Sequence, residues 1–416
     1  MPTPRTNRRE LLQTTLLAAG SLALSQPLLG ADEPPAGVAG KLKITKVKTF
    51  LLTHTLKRAF GVSVSVPLDK TRTTLLIKIE TDAGIFGWGE TYPVGGVQAT
   101  IEAMGKTLVG RNPLEYRKLW RELWGANFGN ALALGGVEMA LNDVRGKALN
   151  MPVAELFGGR LRDRVPAYAS AMNYQEGLQP EDHYPQEAAA LVKQGYKALK
   201  MRLGRYPVAR EAAVAAAVRK AVGPDIKLMV DGNAAYTLTS ALRMGKELDA
   251  LGFEFFEEPL PQSPHYAGYE ELRTKLTLPL AGGEATDSRG TAKELLDRKA
   301  FQIIQPDVSL CGGIGEVLWI AELAAQYGVR CIPHCWGGAI LIAATLHLNA
   351  LIADPHWGFP TDSPLLELDQ SENPWRSEIV KSPFQVDADG FVQVPTVPGL
   401  GVEVNEEAVM SYISKS

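Results

Sequence analysis

The spacing of apolar residues changes several times along this chain, and each change predicts a different element. In residues 41–45 and 74–80, apolar positions alternate with polar ones, and Asp82-Ala83-Gly84 supplies a turn after the second segment. A period of two predicts strands. In residues 135–149 apolar positions instead recur every three to four residues, which predicts a helix. Residues 41–160 are therefore predicted to form an antiparallel sheet followed by helices, an α+β domain.

From about residue 165 onward, short apolar segments alternate with Ala- and Leu-rich helical segments. Each apolar segment ends in polar residues; the predicted strands are 165–169, 198–202, 227–231, 253–257, 278–284, 301–307, 329–334 and 365–367. Eight such repeats predict a (β/α) barrel over residues 165–369, with functional groups at the carboxyl ends of the strands. An open doubly wound sheet is the alternative, but no glycine-rich phosphate loop follows the first strand. Gly312-Gly313-Ile314-Gly315 is better explained as a tight turn.

Charged side chains end most of the predicted strands. In chain order they are Lys200, Arg202, Asp231, Glu257, Glu284, Asp307, His334 and Glu367. Asp231, Glu257 and Glu284 end successive strands and would repel one another unless a cation lay between them. Any one of them could simply cap a helix, but three at matched positions predict a metal site. Carboxylate oxygens with room for water suit Mg²⁺ best, with Mn²⁺ as the alternative.

Two neighbours of these acids have alternative roles. Glu258 is adjacent to Glu257, and because successive strand residues point to opposite sides, only one of the two faces the barrel centre. We predict Glu257 as the ligand and Glu258 as a supporting residue. Asn233, two residues after Asp231, either contributes its amide to the site or caps the turn.

Two pairs of residues flank the predicted metal site. Asp307 and His334 lie on adjacent predicted strands, and a carboxylate bonded to an imidazole fixes its tautomer and raises its basicity, as a general base requires. Lys200 and Arg202 are two residues apart and share one face of their strand. The alternatives are a satisfied core histidine and a solvated strand end, but the matching Asp307 favours a catalytic dyad.

Several motifs occur in order along the chain. They are Gly87-Trp88-Gly89-Glu90, Ala140-Leu141-Asn142-Asp143-Val144-Arg145-Gly146-Lys147, Phe157-Gly158-Gly159, Lys200-x-Arg202, Val230-Asp231-Gly232-Asn233, Glu257-Glu258-Pro259, Gly283-Glu284, Asp307 and His334. Together they resemble the enolase superfamily, and within it the mandelate racemase subgroup, over nearly all of residues 41–416. The resemblance implies an α+β capping domain, a (β/α)7β barrel, a C-terminal segment (370–416) that returns to the capping domain, and a homo-oligomer.

The resemblance also implies a reaction. Enzymes of this superfamily are established to abstract the proton α to a carboxylate and to stabilise the resulting enediolate with a divalent metal. Carried over residue by residue, the resemblance implies metal ligands at Asp231, Glu257 and Glu284, a His–Asp dyad at His334 and Asp307, and an acid that hydrogen-bonds the substrate carboxylate at Glu367.

One position departs from the racemase pattern. Racemases of the subgroup carry Lys-x-Lys on the second strand, whereas this chain has Arg202 at the second position. A guanidinium stays protonated at ordinary pH, so it can clamp oxygens but is a poor base. A racemase needs a base on each face of the substrate, and Lys200 is expected to neutralise the carboxylate. With His334 as the one convincing base, the sequence favours elimination of water.

The leading hypothesis is therefore a Mg²⁺-dependent acid-sugar dehydratase, which converts a polyhydroxy mono- or dicarboxylate into a 2-keto-3-deoxy acid. A racemase or epimerase of a 2-hydroxy acid or related carboxylate is the alternative. A cycloisomerase is disfavoured, because that subgroup depends on its lysine pair and usually lacks the dyad. The non-enzymatic alternative, an exported binding protein that has lost activity, is disfavoured by the complete set of ligands and dyad.

Substrate specificity is expected to come from the capping domain. Residues 53–67 and 91–96 match the two family loops that close over the substrate, although a basic loop is equally consistent with solvated surface. The candidate substrate contacts are Lys57, Arg58, Ser63, Ser65 and Tyr92, with Asn233 from the barrel.

Residues 1–40 differ from the rest of the chain. Arg8-Arg9 precedes a short apolar run, residues 14–24, and then Pro, Gly and Ala residues. This order predicts a twin-arginine signal peptide and linker within residues 1–31, and hence a periplasmic protein. The run is too short to span a bilayer comfortably, so no membrane partner is expected for the mature form. A disordered basic tail is the alternative.

The amino-acid composition excludes several other classes of protein and of binding partner. The 416 residues are 45% hydrophobic and 21% charged, as in ordinary globular proteins. The net charge is -3 and basic residues form no cluster, so a nucleic-acid partner is not expected. Three cysteines in a chain of this length exclude a disulfide scaffold. The expected partner is a small-molecule carboxylate.

Overall fold

The computed structural model describes residues 41–126, 129–262, 266–354 and 363–413. The predicted signal peptide, residues 1–31, lies outside the described residues. The described part of the chain begins with three antiparallel strands of one sheet, β1 (Ile44–Gly61), β2 (Asp69–Thr81) and β3 (Phe86–Thr91). Four helices follow: α1 (Val97–Leu108), α2 (Tyr116–Ala126), α3 (Ala131–Ala148) and α4 (Val153–Leu156). This sheet and its helices form the capping domain.

Glycines determine how closely β3 approaches α3. A Cβ at Gly87 or Gly89 would collide with the backbone of α3 at Ala140 or Gly136, respectively. Trp88, which lies between these glycines, points to the opposite face and is buried. The Gly-Trp-Gly motif is thus explained by packing, because a strand residue without a side chain allows direct contact between strand and helix backbones.

The barrel strands follow in a regular order. They are β4 (Arg164–Ser170), β6 (Ala198–Arg202), β7 (Lys227–Asp231), β8 (Phe256–Glu257), β9 (Leu280–Gly282), β10 (Ile303–Ile304), β11 (Arg330–Cys331) and β12 (Leu366–Asp369). Neighbours pair in parallel in the order β11-β10-β9-β8-β7-β6-β4-β12. An antiparallel capping sheet and a parallel α/β barrel-like domain confirm the predicted fold class.

Helices alternate with these strands along the chain. They are α5 (Pro180–Lys193), α6 (Val208–Val222), α7 (Leu238–Ala250), α8 (Tyr269–Lys275), α9 (Arg289–Asp297), α10 (Ile314–Gln326) and α11 (Ala339–Leu351), with α12 (Glu406–Ser411) near the C-terminus. In α7, for example, Ala241, Met244 and Leu248 are buried at helical spacing, which fixes the face turned to the sheet. None of the helices in the described ranges combines the length and apolar character needed to cross a membrane.

Two short strands and one bridge connect distant parts of the chain. The strand β5 (Tyr174–Gln175) follows the first barrel strand, β4, in the chain. It pairs with β1 and is the fourth strand of the capping sheet. The strand β13 (Phe391–Gln393) pairs with β4. Near the C-terminus, Ile413 forms a bridge to Leu52 of β1. The segment after β12 therefore contacts both the barrel and the capping sheet.

The interior of the barrel is layered by side-chain polarity. Inward residues of the lower layer are apolar and form one buried cluster: Tyr168, Ala198, Met229, Phe255, Ala281, Ile303 and Ile332. Two residues further along the strands, the inward positions carry Lys200, Asp231, Glu257, Gln305, His334 and Glu367, all buried. Because side chains alternate with a period of two, the apolar layer closes the barrel beneath a polar layer at the carboxyl ends of the strands.

The hydrogen-bonded strands are shorter than several of the predicted ones. Strands 198–202 and 227–231 have the predicted bounds, but β9, β10 and β11 end before Glu284, Asp307 and His334. Those three residues lie in the loops that follow. The apolar pattern continues past the last ladder hydrogen bond because the loop residues are buried as well, so the pattern overestimates strand length.

Candidate active site

The His–Asp pair is formed as a hydrogen-bonded dyad. His334 Nδ1 lies 2.7 Å from Asp307 Oδ2, and both side chains are buried. The other oxygen, Asp307 Oδ1, accepts hydrogen bonds of 2.6 Å from the Ser309 amide and from Ser309 Oγ. Because the Asp307 carboxylate is the acceptor in these bonds, we assign the proton of the pair to Nδ1, which then donates to Oδ2. The other nitrogen, Nε2, faces the metal-ligand candidate Glu284 at 3.3 Å.

Lys200 is the centre of a buried ion-pair network at the bottom of the site. Its Nζ lies 2.8 Å from both oxygens of Glu257 and 2.7 Å from Glu367 Oε1. Gln305 Nε2 also donates to Glu257, at 2.9 Å. Burial acts to lower the pKa of Lys200, but the carboxylates of Glu257 and Glu367 raise it above its ordinary value. Lys200 therefore stays cationic beside the two acids.

Arg202 is held through the two terminal nitrogens of its guanidinium group. It donates to Asp231 Oδ2 and, at 3.1 Å each, to Asn233 Oδ1 and Ser170 Oγ. Its Cζ lies 4.6 Å from the centre of the Trp336 ring, a distance at which a cation is attracted to the ring face. These contacts fix a planar cation opposite the dyad.

The two adjacent glutamates at the end of β8, Glu257 and Glu258, point in different directions. Glu258, whose φ is 36°, accepts hydrogen bonds from the Gly283 amide at 3.0 Å and the Tyr266 hydroxyl at 3.2 Å. Burial and the nearby Glu284 carboxylate raise its pKa well above the ordinary value. Glu257 instead faces Lys200 in the barrel centre. The structure thus separates the two as predicted, with Glu257 in the barrel centre, although Glu258 lies just after the strand in a left-handed conformation.

The three predicted metal ligands each face a positively charged or titratable partner. Asp231 contacts Arg202, Glu257 contacts Lys200, and Glu284 Oε2 lies 3.3 Å from His334 Nε2. Within the described ranges, no three His, Cys, Asp or Glu side chains are grouped as a metal site. The structure therefore places the three carboxylates at neighbouring strand ends without gathering them around one point.

The charges of the site nevertheless fit a divalent cation. Five carboxylates line it, namely Asp231, Glu257, Glu284, Asp307 and Glu367, against Lys200, Arg202 and His334. Even with His334 protonated, negative charge exceeds positive charge. Burial raises the pKa of Glu257 to about 7, although Lys200 opposes this effect. Buried charge of one sign is costly unless it is paired, and hard oxygen donors suit Mg²⁺.

A cavity of about 630 Å³ lies between the dyad and the capping domain. From the barrel it is lined by Arg202, Asn233, Glu284, His334 and Trp336, and from the capping domain mainly by β2 and the loops before β2 and after β3. Tyr92, in the loop after β3, lines the cavity and donates a 3.2 Å hydrogen bond to Asp307 Oδ2. Of the predicted substrate contacts, Tyr92 and Asn233 therefore lie at the cavity.

Other predicted substrate contacts lie elsewhere. Lys57 and Arg58 are exposed on β1, outside the cavity lining, and Arg58 donates to the Glu176 carbonyl. The first half of the predicted loop 53–67 is in fact part of β1, because it pairs with β2. Ser63 Oγ and Ser65 Oγ donate to the carbonyls of Asn233 and Ala234, at 3.1 and 3.2 Å. These serines fasten the capping loop to the loop after Asp231.

Sequence reasoning did not single out four residues of this region. Arg72 and Trp336 line the cavity, and Arg72 Nη2 lies 2.7 Å from the buried Asp369. Gln305 contacts Glu257. Gln305 and Asp369 were detectable, since each lies two residues from a predicted site residue on the same strand. Arg72 had a weaker signal, as a charged residue at a buried position of β2.

Barrel, capping domain and strand-end acids together define an enzyme of the enolase superfamily. Residues 46–158 match the family "Mandelate racemase / muconate lactonizing enzyme, N-terminal domain", and residues 183–408 match the family "Enolase C-terminal domain-like". The chain belongs to the mandelate racemase/muconate lactonizing enzyme family of that superfamily, as the motifs predicted.

Relatives with assigned activities cover most of the chain. The D-galactarolactone cycloisomerase of Agrobacterium fabrum is 36% identical over 379 residues, 89% of this chain and 99% of the relative. The D-galactonate dehydratase of Variovorax paradoxus is also 36% identical, over 81% of this chain and 90% of the relative. These relatives include acid-sugar dehydratases and a cycloisomerase, so they do not support the sequence argument that disfavoured a cycloisomerase.

Solved structures show the same similarity. The crystal structure of the 3,6-anhydro-D-galactonate cycloisomerase from Zobellia galactanivorans is 33% identical, has a TM-score of 0.79, and covers 90% of this chain and 100% of that chain. A member of the enolase superfamily from Polaromonas sp. JS666 is 32% identical with a TM-score of 0.79, over 89% and 98% of the two chains.

Proposed function

We propose that this enzyme is an acid-sugar dehydratase that removes the proton α to a carboxylate and eliminates the β-hydroxyl, giving a 2-keto-3-deoxy acid. The observation that carries the proposal is the one-sided arrangement of the site. A hydrogen-bonded His334–Asp307 dyad lies on one side and the guanidinium of Arg202 on the other. The dehydratases among the relatives support the same reaction class.

The proposed reaction uses the dyad as an acid–base pair. His334 Nε2 takes the α-proton while Asp307 holds Nδ1–H and stabilises the imidazolium. The C–H electron pair moves into a carbon–carbon double bond as the β-carbon–oxygen bond breaks. His334 can then return the proton to the departing oxygen, which leaves as water. The enol product becomes the 2-keto acid by tautomerisation.

The remaining polar residues would bind and stabilise charge. Lys200, Arg202 and Glu367 would bind the substrate carboxylate, where contacts that strengthen as charge develops lower the barrier. Asp231, Glu257 and Glu284 would hold Mg²⁺, whose charge, when it is bound, stabilises negative charge on the carboxylate oxygens.

Ring-opening isomerisation is the second candidate. The same α-proton removal with a ring oxygen as the β-leaving group opens a lactone or an anhydro sugar acid without releasing water. Cycloisomerases at 36% and 33% identity favour this candidate. A racemase or epimerase would need a second base, and the position of that base is occupied by Arg202, a poor proton acceptor.

One assay separates these activities. The purified enzyme with Mg²⁺ is incubated with a panel of aldonic and aldaric acids, their lactones and 3,6-anhydro acids, and 2-keto products are trapped with semicarbazide. Dehydration predicts 2-keto product from an open-chain acid, and ring-opening predicts product only from cyclic substrates. Inversion of an α-centre without keto product would refute both and establish a racemase. His334→Asn is the inactive control.

We further propose export by the twin-arginine route to the periplasm. Arg8-Arg9 and the apolar run after it support this proposal. Changing both arginines to lysine should retain the precursor in the cytoplasm, and an unchanged periplasmic yield would contradict it.

A homo-oligomer is also proposed, and light scattering of the purified enzyme tests it against a monomer.

A further inference from the structure

Among the described barrel helices, α8, α10 and α11 have a glycine at the N-cap, and α10 and α11 take a hydrogen-bond acceptor from the capping domain. The first N–H groups of a helix have no partner within it, and a side chain at the N-cap usually accepts from them. In α7 and α9 the N-caps Thr237 and Ser288 do so. The N-caps of α10 and α11 are Gly313 and Gly338, which have no side chain to offer.

A carboxylate of the capping domain accepts from the start of α11. Glu90, on β3, receives hydrogen bonds from the amide of Gly338 at 2.6 Å and of Leu341 at 3.1 Å. Thr74 of β2 donates to the same carboxylate at 2.9 Å and orients it. Glu90 is buried. The acid of the Gly-Trp-Gly-Glu motif thus caps a helix of the other domain.

A second carboxylate of the capping domain accepts hydrogen bonds from the start of α10. Glu138, buried on α3, receives hydrogen bonds from the amide of Ile314 at 2.9 Å and of Gly315 at 3.2 Å. The Tyr116 hydroxyl donates to it at 2.6 Å. Negative charge at a helix N-terminus is also favoured by the helix dipole.

The glycines at these helix starts make room for the carboxylates. Gly313 has a φ of 110°, and a Cβ there would collide with the Glu138 carboxyl group. A Cβ at Gly338 would lie 3.0 Å from Glu90 Oε1. This requirement explains Gly313 within the Gly312-Gly313-Ile314-Gly315 run, and a Cβ at Gly315 would collide with the Tyr116 hydroxyl that donates to the same carboxylate.

The two helices directly follow the loops that carry the dyad. Asp307 lies in the loop before α10, and His334 lies in the loop before α11. We propose that Glu90 and Glu138 are positioning residues, through which the capping domain holds these loops and sets the geometry of the His334–Asp307 pair. The importance of that geometry for catalysis rests on the function proposed above; the positioning itself does not.

The contacts predict an effect on turnover rather than on substrate binding. Proton abstraction depends on the placement of His334, and a misplacement of about 1 Å can cost roughly 100-fold in rate. Glu138 is the cleaner probe, because it does not line the cavity whereas Glu90 does. Glu138→Gln keeps the shape but turns an NH2 group toward a backbone N–H, so one helix-terminal donor loses its acceptor.

Asp143 provides a matched control on the same helix. It is buried and accepts from the amides of Trp88 and Leu400, at 2.9 Å each, but it contacts neither dyad loop. Asp143→Asn should lower the melting temperature about as much as Glu138→Gln. Only Glu138→Gln should lower kcat, by about 10- to 100-fold, with KM changed less than about threefold.

A spectroscopic readout tests the positioning without any turnover. The proton on His334 Nδ1, in a short hydrogen bond to Asp307, should give a far-downfield NMR resonance, assigned by its loss in His334→Asn. Glu138→Gln should shift or broaden this resonance, and Asp143→Asn should not. If the resonance moves but no substrate is turned over by the wild type, the proposed function fails and the positioning stands.

The opposite result would overturn the inference. If Glu138→Gln loses stability like Asp143→Asn while its kcat and the His334 resonance stay unchanged, the carboxylate is only structural. Should Glu138→Gln fail to fold, Tyr116→Phe removes a single donor to the same carboxylate. A smaller shift of the resonance in that variant would support the proposal, and an unchanged resonance would contradict it.

Discussion

Replacing Asp307 by Asn should invert the tautomer of the catalytic histidine. The Ser309 amide donates to Asp307 Oδ1 at 2.6 Å, and this donor can be satisfied only by an oxygen. Asn must therefore turn its carbonyl toward Ser309 and its NH2 toward His334 Nδ1. That nitrogen then becomes the acceptor, and the proton moves to Nε2. The nitrogen proposed to remove the α-proton would already be protonated.

The magnitude of this effect follows from the loss of the correct tautomer. The same reversal in a Ser-His-Asp triad costs about 10⁴ in kcat. We expect a loss of about 10³- to 10⁴-fold here, or roughly 4–5.5 kcal/mol in the activation barrier. The fold should persist, because the change removes one charge from a site with excess negative charge. Turnover, α-proton exchange in deuterium oxide and the melting temperature are the measurements.

A matched variant controls for the loss of hydrogen bonds alone. Ser309→Ala removes the Oγ donor to Asp307 but keeps the amide donor and the dyad, so its kcat should fall less than tenfold. If Asp307→Asn retained more than about a tenth of the wild-type kcat, the dyad would not orient the base, and the proposed role of His334 would be wrong.

Three further predictions concern the metal, the second face of the substrate and pH. Amide variants of Asp231, Glu257 or Glu284 should each weaken Mg²⁺ binding at least tenfold in calorimetric titration; unchanged affinity would disprove their assignment as ligands. Arg202→Lys should gain slow α-proton exchange on the face opposite His334, measured by NMR in deuterium oxide, whereas two-faced exchange by the wild type would favour the racemase. Burial lowers the pKa of His347 to about 4. Its unfolded pKa is about 6.5, so as pH falls from 6.5 to 4 the unfolded state binds the proton first and stability falls, by about 3 kcal/mol. In unfolding experiments across that pH range, the free energy of unfolding of His347→Gln should fall less steeply than that of the wild type. An equally steep fall would contradict the role given to His347 in the pH dependence.

The sequence by itself determined the fold class and the positions of the charged residues along the chain. Alternation in residues 74–80 and the β-then-α repeats after residue 165 were sufficient, because burial on one face imposes a period on any strand or helix. Asp231 and Glu257 could be located because polar residues ended otherwise apolar strands. The single effective base was inferred from the family resemblance, because Arg202 replaces the second lysine of the racemase Lys-x-Lys pattern.

Only the tertiary structure decided which residues meet across the two domains. Lys57 and Arg58 looked like substrate contacts because their segment matched a capping loop, but in the structure they occupy exposed positions of β1 outside the cavity lining. Glu90 lies 248 residues from Gly338 in the sequence, yet its carboxylate accepts a hydrogen bond from the Gly338 amide. A local pattern reflects the burial of a residue, which depends on nearby positions. It carries no information about a partner that is brought close by the packing of one domain on another.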